Sequence, residues 1–277
     1  FTGVTNNYAG GVVVSGGTLG VYNITDASDA MLGAVPIPDA ANLGFAAGTT
    51  FANRNIGGLG SNLTLVANRG ITLTGGGTTN FDVVDSLGTG LGIARTVTIN
   101  GPITGSGTIN HTGSNNSDLQ LFGAIFSGVG VTNTNGAMYL ENANNTYTVA
   151  TIVNGGAIAV NGSTAASSAV TVNSTGTLSG RGTVVGSVTV KSGGILTPGF
   201  REINKIITGS TTFESGSIFE WALGSGPTTT GRGTDYDAVN AAGLSGSGAI
   251  FRVVLDGSQN FSSSFWDSNQ TRPGRIS

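Results

Sequence analysis

The sequence predicts an all-β fold in which short strands wind into a β-solenoid, and three observations lead to this prediction. Glycine accounts for 48 of the 277 residues, more than twice its average usage of about 7%, so the chain must turn often. The hydrophobic fraction is 38% and the net charge is only −3, which does not fit a disordered chain. Finally, Val170-Thr171-Val172 recurs as Val188-Thr189-Val190, and a fixed strand-rich period of about 20 residues is typical of a solenoid.

The alternation within each strand explains why such a chain would wind. Val170 and Val172 would point into the core while Thr171, β-branched but polar, would face the solvent. Glycines would supply the corners of each coil, and asparagines would stack between coils through their side chains. With about 20 residues per coil, the whole chain would form about 12–14 coils and a rod of about 60 Å.

A longer repeat links the beginning of the chain to its middle. Tyr8–Val21 and Tyr147–Val160 share a tyrosine, a β-rich triplet, a polar residue, a Gly-Gly pair and a four-residue strand. Both copies follow an asparagine pair, Asn6-Asn7 and Asn144-Asn145. We interpret them as a long-range internal repeat that contains several coils.

Between the two copies the pattern is looser. Asp26–Ala41 contains two prolines and predicts a loop, or one helical turn over Ser28–Leu32. Strands resume at Leu43, and the glycine-rich Val83–Ile93 predicts turns. Further short strands are predicted at Thr96–Asn100, Thr108–His111, Leu119–Phe122 and Met138–Leu140. No segment has a sustained helical period, so almost no helix is expected.

The composition of the sequence changes after Pro198-Gly199. Large aromatic residues concentrate there: Phe213, Phe219, Trp221, Tyr236, Phe251, Phe265 and Trp266. Because a thin solenoid has little room for large rings inside its rungs, we predict solenoid repeats over 1–199 and an aromatic-rich C-terminal β region or cap over 200–277. Continuation of the solenoid into the second part is the alternative.

Composition excludes several classes of function. The chain has no cysteine, hence no disulfide framework and no cysteine-based metal site. Its two lysines and nine arginines are scattered, which argues against nucleic-acid binding. No apolar run reaches the roughly 18 residues of a membrane span. We expect no cofactor.

Few residues could carry chemistry. The single histidine, His111, is interpreted as a surface residue on a strand edge. Enzymes built on parallel β-helices use clustered acids, whereas here the acids are scattered and the closest pairs are Asp26/Asp29, Asp82/Asp85 and Asp235/Asp237. Asp235 and Asp237 would share a strand face, and they are weak candidates for a Ca²⁺ site or an acid pair. A solvated strand end or packing against Tyr236 is the alternative, and no catalytic residue is predicted.

The stretch from Gly155 to Gly199 resembles the autotransporter-associated β-strand repeat. The resemblance lies in Gly176–Val184, in the closing Thr197-Pro198-Gly199, and in Asn144–Thr148, which is similar to the start of the same unit. It extends over roughly 140–260, including Phe213–Trp221 and Tyr236–Gly243. The resemblance implies a right-handed parallel β-helix, exposed outside a Gram-negative-type bacterial cell, without catalytic residues.

The expected function is therefore structural: an extracellular rod that serves as a surface stalk or as the subunit of a head-to-tail filament. A signal peptide is absent at Phe1, so an exported protein would have lost it or the chain would belong to a longer one. The expected assembly edges are Phe1, Thr2, Val4, Phe265 and Trp266. One alternative is an adhesin that binds glycans or another cell-surface ligand, and a second is a polysaccharide-active enzyme.

Overall fold

The computed structural model describes residues 6, 9–22, 29–34, 37–54, 62–84, 94–200, 202–225, 227–228 and 230–255. These residues form 24 β-strands and the 3-10 helix Ala30–Leu32. The strands of the first half are β1 (Val12–Val14), β2 (Thr18–Tyr22), β3 (Asp39–Ala46), β4 (Thr50–Arg54), β5 (Leu63–Leu65), β6 (Arg69–Thr74), β7 (Thr78–Val83), β8 (Arg95–Ile99), β9 (Ile103–Gly105), β10 (Gly107–His111), β11 (Ser117–Leu121) and β12 (Val129–Asn133). The second half adds β13 (Ala137–Leu140), β14 (Thr151–Val153), β15 (Gly156–Val160), β16 (Val170–Val172), β17 (Gly176–Gly180), β18 (Thr183–Val184), β19 (Val188–Val190), β20 (Ile195–Leu196), β21 (Lys205–Phe213), β22 (Ile218–Leu223), β23 (Ala238–Gly246) and β24 (Ile250–Leu255).

The strands form three parallel sheets that run along a solenoid, as the sequence predicts. The long sheet has the order β2-β4-β7-β10-β12-β14-β16-β19-β21-β23, with β18 beside β19 on β21. The middle sheet runs β5-β8-β11-β13-β15-β17-β20-β22-β24, and the short sheet runs β1-β3-β6-β9. Successive strands of the chain change sheet at each step except from β18 to β19, which both pair with β21 in the long sheet.

The coil length varies along the rod. Val170 pairs with Val188, the short offset that the sequence predicts, whereas the first coil is longer and pairs Thr18 with Thr50. The last coil lengthens again and pairs Thr211 with Leu244. Because the corner segments of the outer coils are long, the described part of the long sheet has ten rungs, and its length is roughly 43 Å. The predictions of about 12–14 coils and about 60 Å are therefore wrong for this part of the chain.

The inward and outward positions alternate as predicted. In β16 the two valines are buried and Thr171 between them is only half-buried. Asparagines stack between coils: Asn110 Nδ2 donates to Asn80 Oδ1 at 2.9 Å, and Asn173 Nδ2 donates to Asn154 Oδ1 at 2.7 Å. These side-chain bonds add to the backbone pairing of neighbouring rungs.

Large rings lie inside the rungs, contrary to the sequence-based expectation. Phe45, Phe51 and Phe81 are fully buried, with ring centroids 5.6–6.0 Å apart. They belong to the long coils of the first half, where three strands per coil enclose a wider core. In the short coils the same column of the long sheet continues through Val153 and Val172. Residue size in the core therefore follows coil length.

The segment after residue 200 continues the solenoid as far as the described residues extend. β21 pairs with β19 and β23 in the long sheet, and β22 pairs with β20 and β24 in the middle sheet, all in parallel. The aromatic side chains of this part stack between rungs: Phe219 and Phe251 have centroids 5.5 Å apart. Residues 205–255 thus continue the solenoid, which is one of the two alternatives that the sequence leaves open for 200–277.

The long-range repeat is equivalent in local structure but not in position on the rod. Asn145 Nδ2 donates to the carbonyl oxygen of Ser163 in the next coil at 2.8 Å, and Asn6 Nδ2 likewise donates to the carbonyl oxygen of Met31. However, the strands of the first copy, β1 and β2, lie in the short and long sheets, whereas β14 and β15 lie in the long and middle sheets. The same strand–Gly-Gly–strand unit therefore connects the short sheet to the long sheet in the first copy and the long sheet to the middle sheet in the second.

A buried arginine fixes the first corner segment. Arg69 Nε lies 2.8 Å from Asp29 Oδ2, and both side chains are inaccessible to solvent. The Arg69 guanidinium also donates to the carbonyl oxygens of Leu32 at 3.0 Å and Gly33 at 3.2 Å. The helical turn expected over 28–32 thus exists as the 3-10 helix Ala30–Leu32, but β3 already begins at residue 39, inside the predicted loop.

Candidate functional site

His111 is not the surface residue that the sequence suggests. It ends β10, its side chain points inward in the column between Phe81 and Asn133, and it is fully buried. Its Nδ1 atom lies 3.0 Å from Asn133 Oδ1, and Ser117 Oγ lies 3.4 Å from its Nε2 atom. The residue sits where the coil becomes shorter, between the rung that pairs it with Phe81 and the rung that pairs it with Asn133.

The hydrogen bonds of Asn133 determine which ring nitrogen of His111 carries the proton, and burial determines the charge of the ring. Asn133 Nδ2 donates to the carbonyl oxygen of Gly155 at 2.7 Å, so its Oδ1 atom faces His111 and accepts the Nδ1 proton. Burial lowers the pKa of His111 from 6.5 to about 4, because the charged imidazolium is poorly solvated in the core. His111 is therefore a neutral packing residue at physiological pH. Access for a substrate is closed.

The two candidate acids, Asp235 and Asp237, do not form one site. Asp235 lies in a turn, where its Oδ2 atom accepts hydrogen bonds from the backbone nitrogen of Thr228 at 2.9 Å and from its hydroxyl at 2.6 Å. These bonds lower the pKa of Asp235. Asp237 lies ahead of β23 and accepts from the backbone nitrogens of Asn204 and Ala222, both at 2.9 Å.

Asp237 fixes the return of a corner segment to the sheet. Its backbone carbonyl accepts a hydrogen bond from Trp221 Nε1 at 2.6 Å. Burial raises the pKa of Asp237 to about 6, with a further contribution from the charge of Glu220. Within the described residues, no group of three or more acids, histidines or cysteines could hold a metal ion. Asp235 thus holds Thr228, and Asp237 holds the backbone of Asn204 and Ala222.

A groove lies on the outer surface of the middle sheet. Gly199 adopts a φ of 67° and turns the chain after β20, and a Cβ atom there would lie 2.0 Å from the carbonyl oxygen of Glu202. The turn places Phe200 over the sheet, where its ring meets Tyr139 edge to face at a centroid distance of 5.8 Å. Under the ring, Ala157 and Ala159 are buried small residues that leave it space.

Two clefts flank Phe200. The first, of about 420 Å³, is lined by Thr197, Glu202, Glu220 and Asp237 among others, and it extends to β24. The second, of about 290 Å³, is lined by Asn115, Asn135, Thr175 and neighbouring small residues. Both also contain Thr177 and Phe200. We call this continuous surface the outer groove. No sequence pattern predicts this groove, although Pro198-Gly199 before Phe200 indicates a turn.

The last described coil exposes residues that point toward the core. In register with inward positions of the preceding rungs, Leu244, Phe251, Val253 and Leu255 face inward, yet they are 63%, 49%, 46% and 48% exposed. In the described part of the chain, no strand pairs with the outer edge of β23 or β24. We call this surface the open end.

The opposite end is more closed. Leu19 and Val21 of β2, the first described strand of the long sheet, are buried. Met31 and Leu32 of the 3-10 helix join the core, beside the start of the middle sheet, where Val66 donates to Asp29 at 3.1 Å. The predicted assembly edges Phe1, Thr2, Val4, Phe265 and Trp266 lie outside the described residues.

Comparisons with known proteins do not show which family this chain belongs to. No helix in the described ranges is both long and apolar enough to cross a membrane. Searches against protein-family models, curated proteins and solved structures found no match. The resemblance to the autotransporter-associated repeat therefore stays a prediction from sequence.

Proposed function

We propose that this protein is a non-enzymatic extracellular rod whose coils stack end to end on those of a second copy, as in a filament or a surface stalk. The observation that carries the proposal is the open end. Its four inward-facing apolar side chains belong in a core, and covering them with another coil would remove them from water.

Parallel pairing makes a second copy a suitable partner. Among the described residues no strand pairs with the outer edge of β23, and β2 is the strand at the opposite end of the same parallel sheet, so a second copy could continue the sheet in the same strand direction. The added rung would continue the register that already joins ten rungs.

The state of the titratable groups favours a structural role over catalysis. His111 is sealed in the core, Asp29 is neutralised by Arg69, and Asp237 is occupied by two backbone donors. A polysaccharide-active enzyme is the competing proposal, and it predicts depolymerisation that Asp235→Ala or Asp237→Ala abolishes. Localisation at a Gram-negative-type cell surface rests on the sequence resemblance.

Sedimentation velocity of matched variants tests the end-to-end contact. Val253 and Val185 are almost equally exposed, at 46% and 45%, but only Val253 belongs to the open end. A lysine on an edge strand opposes pairing, so Val253→Lys should convert concentration-dependent oligomers to monomers, while Val185→Lys should leave them unchanged. A wild-type chain that stays monomeric at every concentration would overturn the proposal.

A further inference from the structure

The outer groove runs parallel to the axis of the rod. It extends from Ala137 on β13 to Val254 on β24, which is five strand spacings, or about 24 Å. Phe200 stands in the middle of the groove, half-exposed, with the Tyr139 ring packed against it at an interplanar angle of 74°. Most of the groove lies on the side of the rod, and its last lining residue, Leu255, also belongs to the open end.

The polar groups of the groove are short hydrogen-bonding side chains. Thr177 and Thr197 offer hydroxyls, and Asn115 and Asn135 offer amides that both donate and accept. These groups face the groove at successive rungs, because they occupy outward positions or corners of neighbouring coils. A ligand with repeated hydroxyl groups would find partners at regular intervals.

Each of the three carboxylates that line the groove has hydrogen-bond or ion-pair partners. Glu220 pairs with Arg252 at 3.1 Å, and Glu202 pairs with Arg181 at 3.4 Å. Both carboxylate oxygens of Asp237 accept backbone hydrogen bonds. A strongly charged ligand would have to compete with these pairs, whereas a neutral ligand can use the exposed oxygens and guanidinium nitrogens as additional partners.

We propose that the outer groove binds a neutral polysaccharide that lies along the rod axis. A pyranose ring presents an apolar C–H face, which stacks on an aromatic ring such as that of Phe200, and a rim of hydroxyls for the threonine, asparagine and glutamate side chains. The strand spacing of about 4.8 Å is close to the advance of an extended polysaccharide per sugar residue. The groove is also open at the surface, as a long polymer requires.

Affinity electrophoresis and isothermal titration calorimetry with soluble polysaccharides test this proposal. The panel contains neutral polymers (hydroxyethylcellulose, xylan, galactomannan and dextran), the acidic polymer polygalacturonate and the basic polymer chitosan. Binding of at least one neutral polymer, with little dependence on salt, is expected. Binding of only a charged polymer, or of none, would overturn the proposal.

Matched variants place the binding site. Phe200→Ala should weaken binding about fivefold to tenfold, while Phe122→Ala, at an exposed phenylalanine outside both clefts, should leave it unchanged. Because Phe200→Ala could also loosen the turn, Thr177→Val serves as a second variant. It keeps the side-chain shape, removes the hydroxyl shared by both clefts, and should weaken binding about fivefold. Equal affinities of the wild type and of both groove variants would place the ligand elsewhere and contradict the proposal.

Discussion

His111 Nδ1 lies 3.0 Å from Asn133 Oδ1, and both side chains are fully buried between adjacent rungs of the long sheet. This pair separates Phe51 and Phe81 on one side of the inward column from Val153 and Val172 on the other. The Nδ2 amide group of Asn133 donates to the carbonyl oxygens of Gly136 and Gly155 at the corners. The pair therefore links the rungs at the point where the coil becomes shorter.

Acid should destabilise the rod through His111. Its pKa is about 4 in the folded protein and 6.5 as a free group, so the unfolded chain takes up the proton first as the pH falls. The contribution of His111 to the free energy of unfolding should decrease by about 3 kcal/mol between pH 6.5 and pH 4. Because Asp237 acts in the opposite direction over the same range, this contribution is the difference between the wild type and His111→Asn. Urea unfolding at several pH values measures this slope. His111→Asn removes this contribution, so the pH dependence of the variant's free energy of unfolding should differ from that of the wild type. An unchanged slope in the variant would contradict a buried, neutral His111.

Asp237 should contribute a dependence of the opposite sign. Its pKa is raised from 3.8 to about 6, so the folded protein keeps the proton longer than the unfolded chain does. Stability from this group is present below pH 3.8 and is lost as the pH rises through 6. The fluorescence of Trp221, which donates to the Asp237 carbonyl, can follow the local titration. Absence of this titration in Asp237→Ala, with its presence in Asp235→Ala, is the expected result.

The buried pair Arg69–Asp29 should be far more important for stability than the partly exposed pair Arg54–Asp82. Arg69→Met leaves a buried carboxylate without its partner and should cost about 3–5 kcal/mol. Arg54→Met breaks a pair whose side chains are 35% and 24% exposed, so its cost should not exceed about 1 kcal/mol. Chemical denaturation of both variants compares them. Equal losses would show that Arg69 does not hold the first corner segment as described.

Thr175 should be replaceable by glycine with a gain in stability. Among the described residues it is the only non-glycine with a positive φ, 69°. Its backbone nitrogen donates to the carbonyl oxygen of Gly193, which starts a column of left-handed corners that continues through Gly216. Relief of the strain on a β-branched residue should exceed the added chain entropy, with a net gain of about 1 kcal/mol. Thr171→Gly, within β16, is the control and should lose about 1 kcal/mol. Thermal unfolding that ranks the two variants in the reverse order would refute the strained corner.

Sequence patterns predict the regular part of this molecule well, because alternation and period depend on neighbours along the chain. The offset between Val170 and Val188 is the observed register, and the stack of Asn154 and Asn173 joins coils of similar length. Coil count and the strands β7, β9 and β12 were missed. Their coils include corner segments of different lengths, which break the period without breaking the pairing.

The candidate sites were less predictable, because they depend on which corners meet in space. His111 reads as a lone polar residue in sequence, and only its pairing with Asn133 shows that it is buried. Arg69 precedes the strand motif Ile-Thr-Leu-Thr, but its partner Asp29 lies in a distant corner segment. The outer groove requires Phe200 to fold back over Tyr139, a contact that no local pattern encodes.

Electron microscopy of the purified chain over a range of concentrations tests the central claim most directly. The proposed contact predicts rods, in which the described rungs span about 43 Å, that join end to end at high concentration, with the strand repeat continuing through each junction. It also predicts that Val253→Lys reduces them to single rods while Val185→Lys does not. Single short rods at every concentration, or junctions formed along the sides of the rods, would contradict it.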